Sequence, residues 1–477
     1  MAKIELIVFL SLVLDLFAFT IPLPLFPRII EWFAQRELGS DSTFLAQTLA
    51  AVSTIRSYFY QSATHSERWD IVLLGGLMGS VFSTLQFLVS PIIGSLSDKY
   101  GRRRVLLVTM VGNILSALVW IKATSFATYM VSRVVGGLSE GNVQLATAIL
   151  SDVSPPERRS AVLAYVGIAF AICFIIGPPV GAYFASVSFP HTFGIIGELN
   201  IYAVPALLTL VLLIVETTFL YVALPETRGV AYSLSKKAAK TPKTPTTAQT
   251  PAHAKSTAFV KPKQTVDYRL STLRRLRLYH FMFLAVFSGV EFTLTFLTFD
   301  LFDWSNKQNG MLIGGIGIVS ALLQGGYVRR AMSKTGEGVM ARRGVISCVQ
   351  GLVFMALIPY YAKSSPTVSL RLLQAVAVCL GFTSATVVSS LTAAASLLCD
   401  DGSVDSVTGK PHEEHPDLAK GKALGVFRSS GQLGRALGPL LACASYWTFG
   451  PSYTYATSAA TMFALWMGME SIAKRPR

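Results

Sequence analysis

The sequence predicts an all-α, polytopic membrane protein with twelve transmembrane helices arranged as two six-helix pseudo-repeats. Three observations predict it. Of 477 residues, 52% are hydrophobic and only 14% charged, whereas a soluble domain carries about a quarter charged residues. The apolar residues fall in long blocks, near-continuous over 4–27, 71–93, 105–121 and 161–185. A run of about 18 or more reads as a membrane span. A basic stretch poor in aliphatic residues then divides the chain near its middle.

The first block does not read as a cleavable signal. It is too long, holds Asp15 in its apolar run, and ends in Ile21-Pro22-Leu23-Pro24 rather than a small-residue cleavage site. Taken as the first span, it opens a series at 4–27, 71–93, 104–121, 127–150, 161–186, 201–224, 278–301, 309–328, 343–361, 367–397, 423–446 and 452–471. An even number puts both termini on one side. Loops on that side, with both tails, hold 30 of the 41 Lys and Arg, counting the span-edge Arg104 and Arg343. The opposite loops hold seven and the spans four. Lys and Arg concentrate on the cytoplasmic side, so both termini are expected in the cytosol. The net charge of +15 thus reads as topology, and no nucleic acid is expected as a partner.

Between residues 225 and 277 there are twelve Lys and Arg against Glu226 and Asp267. The part 235–263 is Lys, Pro, Thr and Ala, which cannot bury enough apolar surface to offset chain entropy. The expected organisation is a six-helix bundle over 1–224, a disordered cytosolic linker over 225–277, and a second bundle with a short tail over 278–477. The linker reads as a solvated segment enforcing orientation, with contact to anionic headgroups as the alternative. The five cysteines lie in or beside apolar runs without metal-type spacing, which favours free thiols and no metal site.

The halves echo each other. Gly177-Pro178 in span 5 and Gly438-Pro439 in span 11 fall in register, which also aligns Arg159 with Lys420. Gly94-Ser-Leu-Ser-Asp98 after span 2 and Gly326-Tyr-Val-Arg-Arg330 after span 8 take the same place in their halves. Parallel repeats about an axis along the membrane normal form a transporter plan.

Gly94-Ser-Leu-Ser-Asp98-Lys-Tyr-Gly101-Arg102-Arg103-Arg104 resembles the loop 2–3 signature of the major facilitator superfamily. Arg133-Val-Val-Gly-Gly-Leu-Ser-Glu140-Gly resembles its span 4 motif, and Gly177-Pro-Pro-Val-Gly181 the motif of its drug–proton antiporter branch. Leu224-Pro-Glu-Thr-Arg-Gly229 after span 6 is also typical of the superfamily, and 288–297 and 425–431 resemble the second half of its eukaryotic tetracycline-transporter-like group. The resemblance implies the major facilitator fold and a cavity lined by spans 1, 4, 7 and 10. It also implies a gate in which Asp98 faces the N-terminal end of span 11. There a carboxylate contributes roughly 0.3–1 kcal/mol. Arg102 should then reach Asp152, with Gly94 and Gly101 permitting tight backbone passage. A solvated positive loop is the alternative.

In span 5, Gly177 and Gly181 share a helix face and admit close contact, while Pro178 removes a backbone donor. Packing or a hinge is expected there, as at Gly438 and Pro439. Ionisable groups inside apolar blocks are expensive, at least ~2.5 kcal/mol on insertion scales, and so mark sites. Asp15, Glu140 and Glu291 lie near the middles of spans 1, 4 and 7, with Arg133 in span 4 and Arg435 in span 11. These five are the candidate proton-coupling and substrate residues; buried structural ion pairs are the alternative. Arg133 and Glu140 would lie about 10 Å apart along one helix face. Glu216 and Arg428 are read as snorkelling.

The leading expectation is a secondary transporter that exports a small amphipathic organic solute in antiport with a proton. An organic-anion uniporter or proton symporter is the alternative within transport. A non-transporting scaffold or sensor is the reading from another class. No HExxH, GxSxG or phosphate-binding Gly-Lys-Ser/Thr loop points to an enzyme. The expected partners are the solute, the proton and the bilayer around a monomer. No cofactor is expected, with a proton gradient as energy source.

Overall fold

A computed structural model describes residues 3–22, 25–37, 43–59, 68–185, 192–193, 197–198, 202–228, 264–304, 306–399 and 415–473. Span 1 is Lys3–Thr20, span 2 Arg68–Tyr100 and span 3 Arg102–Ile121. Span 4 comes in two pieces, Phe126–Ser139 and Asn142–Val153. Span 5 is Pro156–Ala185 and span 6 Ala203–Ala223. In the second half, span 7 is Val266–Phe302, and span 8 runs from Asn306–Leu323 through a π turn, Gln324–Val328, into Arg329–Thr335. Spans 9 to 12 are Glu337–Ala362, Pro366–Leu398, Lys420–Phe449 and Pro451–Gly468.

Eight of the described helices are long and apolar enough by themselves to cross a membrane. The other four spans are shorter, more polar or more charged. Span 1 holds Asp15, span 4 is interrupted, span 11 holds Arg428 and Arg435, and span 12 is rich in Thr and Ser.

Several boundaries differ from expectation; span 8 runs on to Thr335, so 326–330 is helical rather than loop, and four further differences have a plain physical reason. Span 1 stops at Thr20, because Pro22 disfavours helix in the residue before it. A separate helix, Phe26–Arg36, follows and buries Ile29, Ile30 and Phe33 against Trp120, Phe126 and Tyr129. A second connecting helix, Phe44–Phe59, lies beside it. Span 2 runs on to Tyr100, so 94–100 is helix rather than loop, and the turn is confined to Gly101. Gly101 has φ 103°, a conformation that favours glycine.

Span 4 is not continuous. Glu140 is extended (φ −71°, ψ 97°) and Gly141 opens the second piece. Span 7 begins at Val266, within the expected linker. Thr265 caps it by accepting from the N–H of Tyr268, and Leu273 and Leu276 are buried. The apolar period there outweighs the basic composition. The remainder of the expected linker, 229–263, lies outside the described residues.

One core fills the first half, from spans 1, 3, 4, 5 and 6, and another fills the second, from spans 7 and 9 to 12. A third cluster joins the first connecting helix to spans 3, 4 and 6 at the end away from the termini. The halves meet where span 2 packs along span 11 and span 5 against spans 8 and 10. Between spans 5 and 6, Thr192–Phe193 and Gly197–Glu198 pair as a minimal antiparallel ribbon.

Candidate transport cavity and gate

Glycine spacing brings the helices close enough for a site to form. A Cβ on Gly177 or Gly181 of span 5 would strike Thr20 or the carbonyl of Ile21 at the end of span 1. Gly438 of span 11 meets Ala285 and Ser288 of span 7 in the same manner. Pro178 and Pro439 sit inside helices that continue past them. These glycines thus hold each pair of helices at backbone distance.

Inside the first half lies a small open cavity. Asp15, Arg133, Glu140, Asn113, Thr209 and Trp120 are among the groups that line it. It is walled by spans 1, 2, 3, 4 and 6. The structure therefore brings Asp15, Glu140 and Arg133 to one space. The Arg133 guanidinium lies 6.0 Å from the Trp120 ring centroid and 5.7 Å from that of Tyr129. Such contacts hold a cation over aromatic faces.

Asp15 is buried, and its Oδ1 accepts from Asn142 Nδ2 at 2.6 Å. Asn142 also accepts from Thr109 Oγ1 at 3.2 Å. Because span 4 restarts at Asn142, the first turn of its second piece stands beside the Asp15 carboxylate. A helix start favours negative charge. Arg428 of span 11 lies within electrostatic reach of Asp15 and Glu140, bringing a charge from the second half to the same cluster.

Glu291 and Arg435 stand apart from this cavity. Both are exposed, on spans 7 and 11, within electrostatic reach of each other. Beside Glu291, the Phe292 ring packs on Gly76 of span 2, across the boundary between the halves.

The gate end is densely bonded. Asp98 accepts from the N–H of Gly421 at 2.9 Å and of Lys422 at 2.6 Å, at the first turn of span 11. Arg102 pairs with Asp98 at 2.7 Å and with Asp152 at 2.9 Å. Lys420 reaches Asp152 at 3.6 Å and the Ser151 carbonyl at 3.3 Å. Ser396 of span 10 bonds Ser151 at 2.8 Å. A Cβ at Gly94 would collide with the Gly421 carbonyl, so the two backbones touch here. Outside the spans, the Lys422 ammonium bonded to Asp417 at 2.8 Å holds that carboxyl below the usual range.

Four residues that sequence reasoning did not assign belong to these networks. Glu226 accepts from the N–H groups of Arg102 (2.8 Å) and Arg103 (3.2 Å), capping span 3. Its signal was the motif after span 6. Asn142 had none beyond its place after Glu140-Gly141. Arg428 does not snorkel; it is directed to the acids of the first half. Glu216 does not snorkel either: it is fully buried and accepts from Ser11 Oγ at 2.8 Å.

With this geometry in place, the comparisons decide the family. The family model described as Major Facilitator Superfamily matches residues 8–410. The chain belongs to the major facilitator superfamily. It is 33% identical over 471 residues to the mouse major facilitator superfamily domain-containing protein 10, covering 96% of this chain and 90% of that one. It is similar to the crystal structure of the human organic anion transporter MFSD10 (TETRAN), with TM-score 0.76 and 29% identity, over 98% of this chain and 99% of that one. A class H tetracycline resistance protein of Pasteurella multocida is 26% identical over 265 residues, 55% of this chain and 58% of its own length. Superfamily membership makes this a secondary transporter, a multi-pass protein moving a small molecule across a bilayer.

Proposed function

We propose that this transporter moves a small amphipathic organic anion together with a proton, by alternating access between its two halves. The observation that carries the reading is the charge set at one space: Arg133, Asp15 and Glu140 line the cavity, with Arg428 in reach. With both acids ionised the four charges cancel. With both protonated the site holds two positive charges and receives an anion. Proton and anion therefore favour each other's binding, which is the thermodynamic requirement for cotransport. The similarity to a human organic anion transporter supports the same substrate class.

For a cationic solute the same charges predict the opposite sign, binding in competition with the proton and hence antiport. The similarity to a tetracycline resistance protein favours this as the second reading. In both, Asp98 and Arg102 hold the terminus-side end closed in the state seen here. That end is assigned to the cytosol from the distribution of Lys and Arg.

The test is reconstitution in liposomes loaded with a pH-sensitive dye and offered matched organic anions and cations. Inward movement of an anion should acidify the interior. Asp15→Asn should abolish pH-driven uptake while the protein stays folded in detergent, and Glu291→Gln should impair it. Anion uptake that leaves the dye silent and ignores external pH would make the protein a uniporter.

A further inference from the structure

Glu216 is not explained by the cavity described above. It lies in the second half of span 6, fully buried, and does not line the cavity. Its Oε1 accepts a single hydrogen bond from Ser11 Oγ of span 1 at 2.8 Å. Its Oε2 is buried with no hydrogen-bond partner. No Lys, Arg or His forms an ion pair with it among the described salt bridges. A buried ionised carboxylate needs a cation or several donors, and this one has a single hydroxyl. A proton on Oε2 removes the charge and leaves the Ser11 bond to Oε1 intact.

Ser11 is one turn before Asp15 on the same helix, so the two acids are served by adjacent positions of span 1. Asp15 of span 1 and Glu140 of span 4 are the acids within electrostatic reach of Glu216. Cys173 of span 5 faces Asp15, and Arg103 at the foot of span 3 bonds the Tyr221 carbonyl farther along span 6. With three carboxyls interacting inside one bundle, a charge on any of them disfavours charge on the others, so their titrations are coupled.

We propose that Glu216 is a proton-binding site of the transport cycle, a carboxyl away from the solute that takes up and releases a proton at Oε2. Its occupancy biases the charge on Asp15 and Glu140. Charge on Asp15 or Glu140 opposes charge on Glu216, and the reverse, across the bundle. The transport role rests on the proton coupling proposed above, whereas the binding site itself does not.

Infrared difference spectra of the purified full-length protein, stepped from alkaline to acid pH, test the binding site directly. The expected result is a protonated-carboxyl C=O component that is lost in Glu216→Gln, whose amide oxygen still accepts from Ser11 and preserves the melting temperature. Ser11→Ala should keep the component and move its frequency, since the carbonyl loses its donor. Identical spectra for wild type and Glu216→Gln would overturn the proposal, and so would a component that ignores pH. In dye-loaded liposomes, Glu216→Gln should flatten the pH profile of uptake. A wild type that moves solute without protons would sink the cotransport reading while the spectra still decide Glu216. A coupled wild type with an unaltered Glu216→Gln profile would sink the role of Glu216.

Discussion

The terminus-side end of the molecule closes at two corners that occupy equivalent places in the two halves and are built from different chemistry. At one corner the end of span 2 meets the start of span 11; at the other the end of span 8 meets the start of span 5. Each has a tight glycine turn, Gly101 with φ 103° and Gly336 with φ 93°. At the first corner the bond is charged, with Asp98 on two backbone N–H groups and Arg102 bridging to Asp152. At the second, no acid occurs between Gly326 and Gly336. Its contacts are Glu337 accepting from Ser160 Oγ at 2.5 Å and the Arg329 guanidinium over the Tyr165 ring at 4.8 Å. Ser160 stands where Gly421 stands when the Gly-Pro pairs are aligned, so a side-chain hydroxyl replaces a helix-start N–H. One corner is thus bonded through charges and the other through a side-chain hydroxyl and an aromatic ring.

The two corners can be told apart by how fast a maleimide reaches a cysteine introduced as Ala148→Cys. Ala148 is buried in a cluster with second-half side chains, and the five native cysteines would be replaced in the background. The largest effect should come from Asp98→Asn. Hydrogen bonds to a charged group contribute about 1.5–3 kcal/mol each. Losing about 2–3 kcal/mol of closure should speed labelling roughly 30- to 150-fold. Labelling at the wild-type rate would show that the charged corner does not hold the gate.

Next in size is the coupling between Arg102→Ala and Asp152→Ala, on the order of 1–2 kcal/mol in a double-mutant cycle. Additive effects would mean that the two residues do not act as a pair. At the second corner Arg329→Ala should cost about 0.5–1 kcal/mol, the range for an exposed cation over an aromatic ring. Glu337→Gln should change labelling by less, within about 0.5 kcal/mol, because a neutral amide oxygen still accepts from Ser160. A large effect there would make both corners charge-dependent and erase the contrast.

The smallest effect should be that of Asp417→Ala. Lys422 lowers the Asp417 pKa, so whatever the pair contributes is present at neutral pH and lost as pH falls through the folded value. The group is exposed, and exposed pairs contribute within about 0.5 kcal/mol. Melting curves of wild type and variant at neutral pH should nearly coincide.

Much of the architecture was legible because a bilayer leaves a strong imprint. Blocks such as 105–121 must be apolar throughout and need no partner to be recognised. Boundaries were less legible where packing, not lipid, decides them. The helix Phe26–Arg36 is stabilised by Trp120 and Tyr129, far away in sequence, and span 7 extends to Val266 because Leu273 and Leu276 find a core. For the site, Asp15, Glu140 and Arg133 announced themselves as ionisable groups in apolar runs. Their sharing of one space was expected from the family resemblance alone, and that Glu291 and Arg435 lie outside that space was not legible. Nor was the burial of Glu216, whose partner hydroxyl lies 205 positions earlier in the chain.

The break after Ser139 makes span 4 a jointed shaft. Its outer piece is clamped at one end, where Glu37, just past the first connecting helix, accepts the N–H of Phe126 at 2.8 Å, and carries Arg133 against Trp120 and Tyr129. Its inner piece is clamped at the other end, where Asp152 sits in the gate. A continuous rod would transmit every tilt of the gate to the aromatic wall of the cavity. With an extended residue at its centre, the shaft is two separately clamped helices, and the joint between them is Glu140 itself.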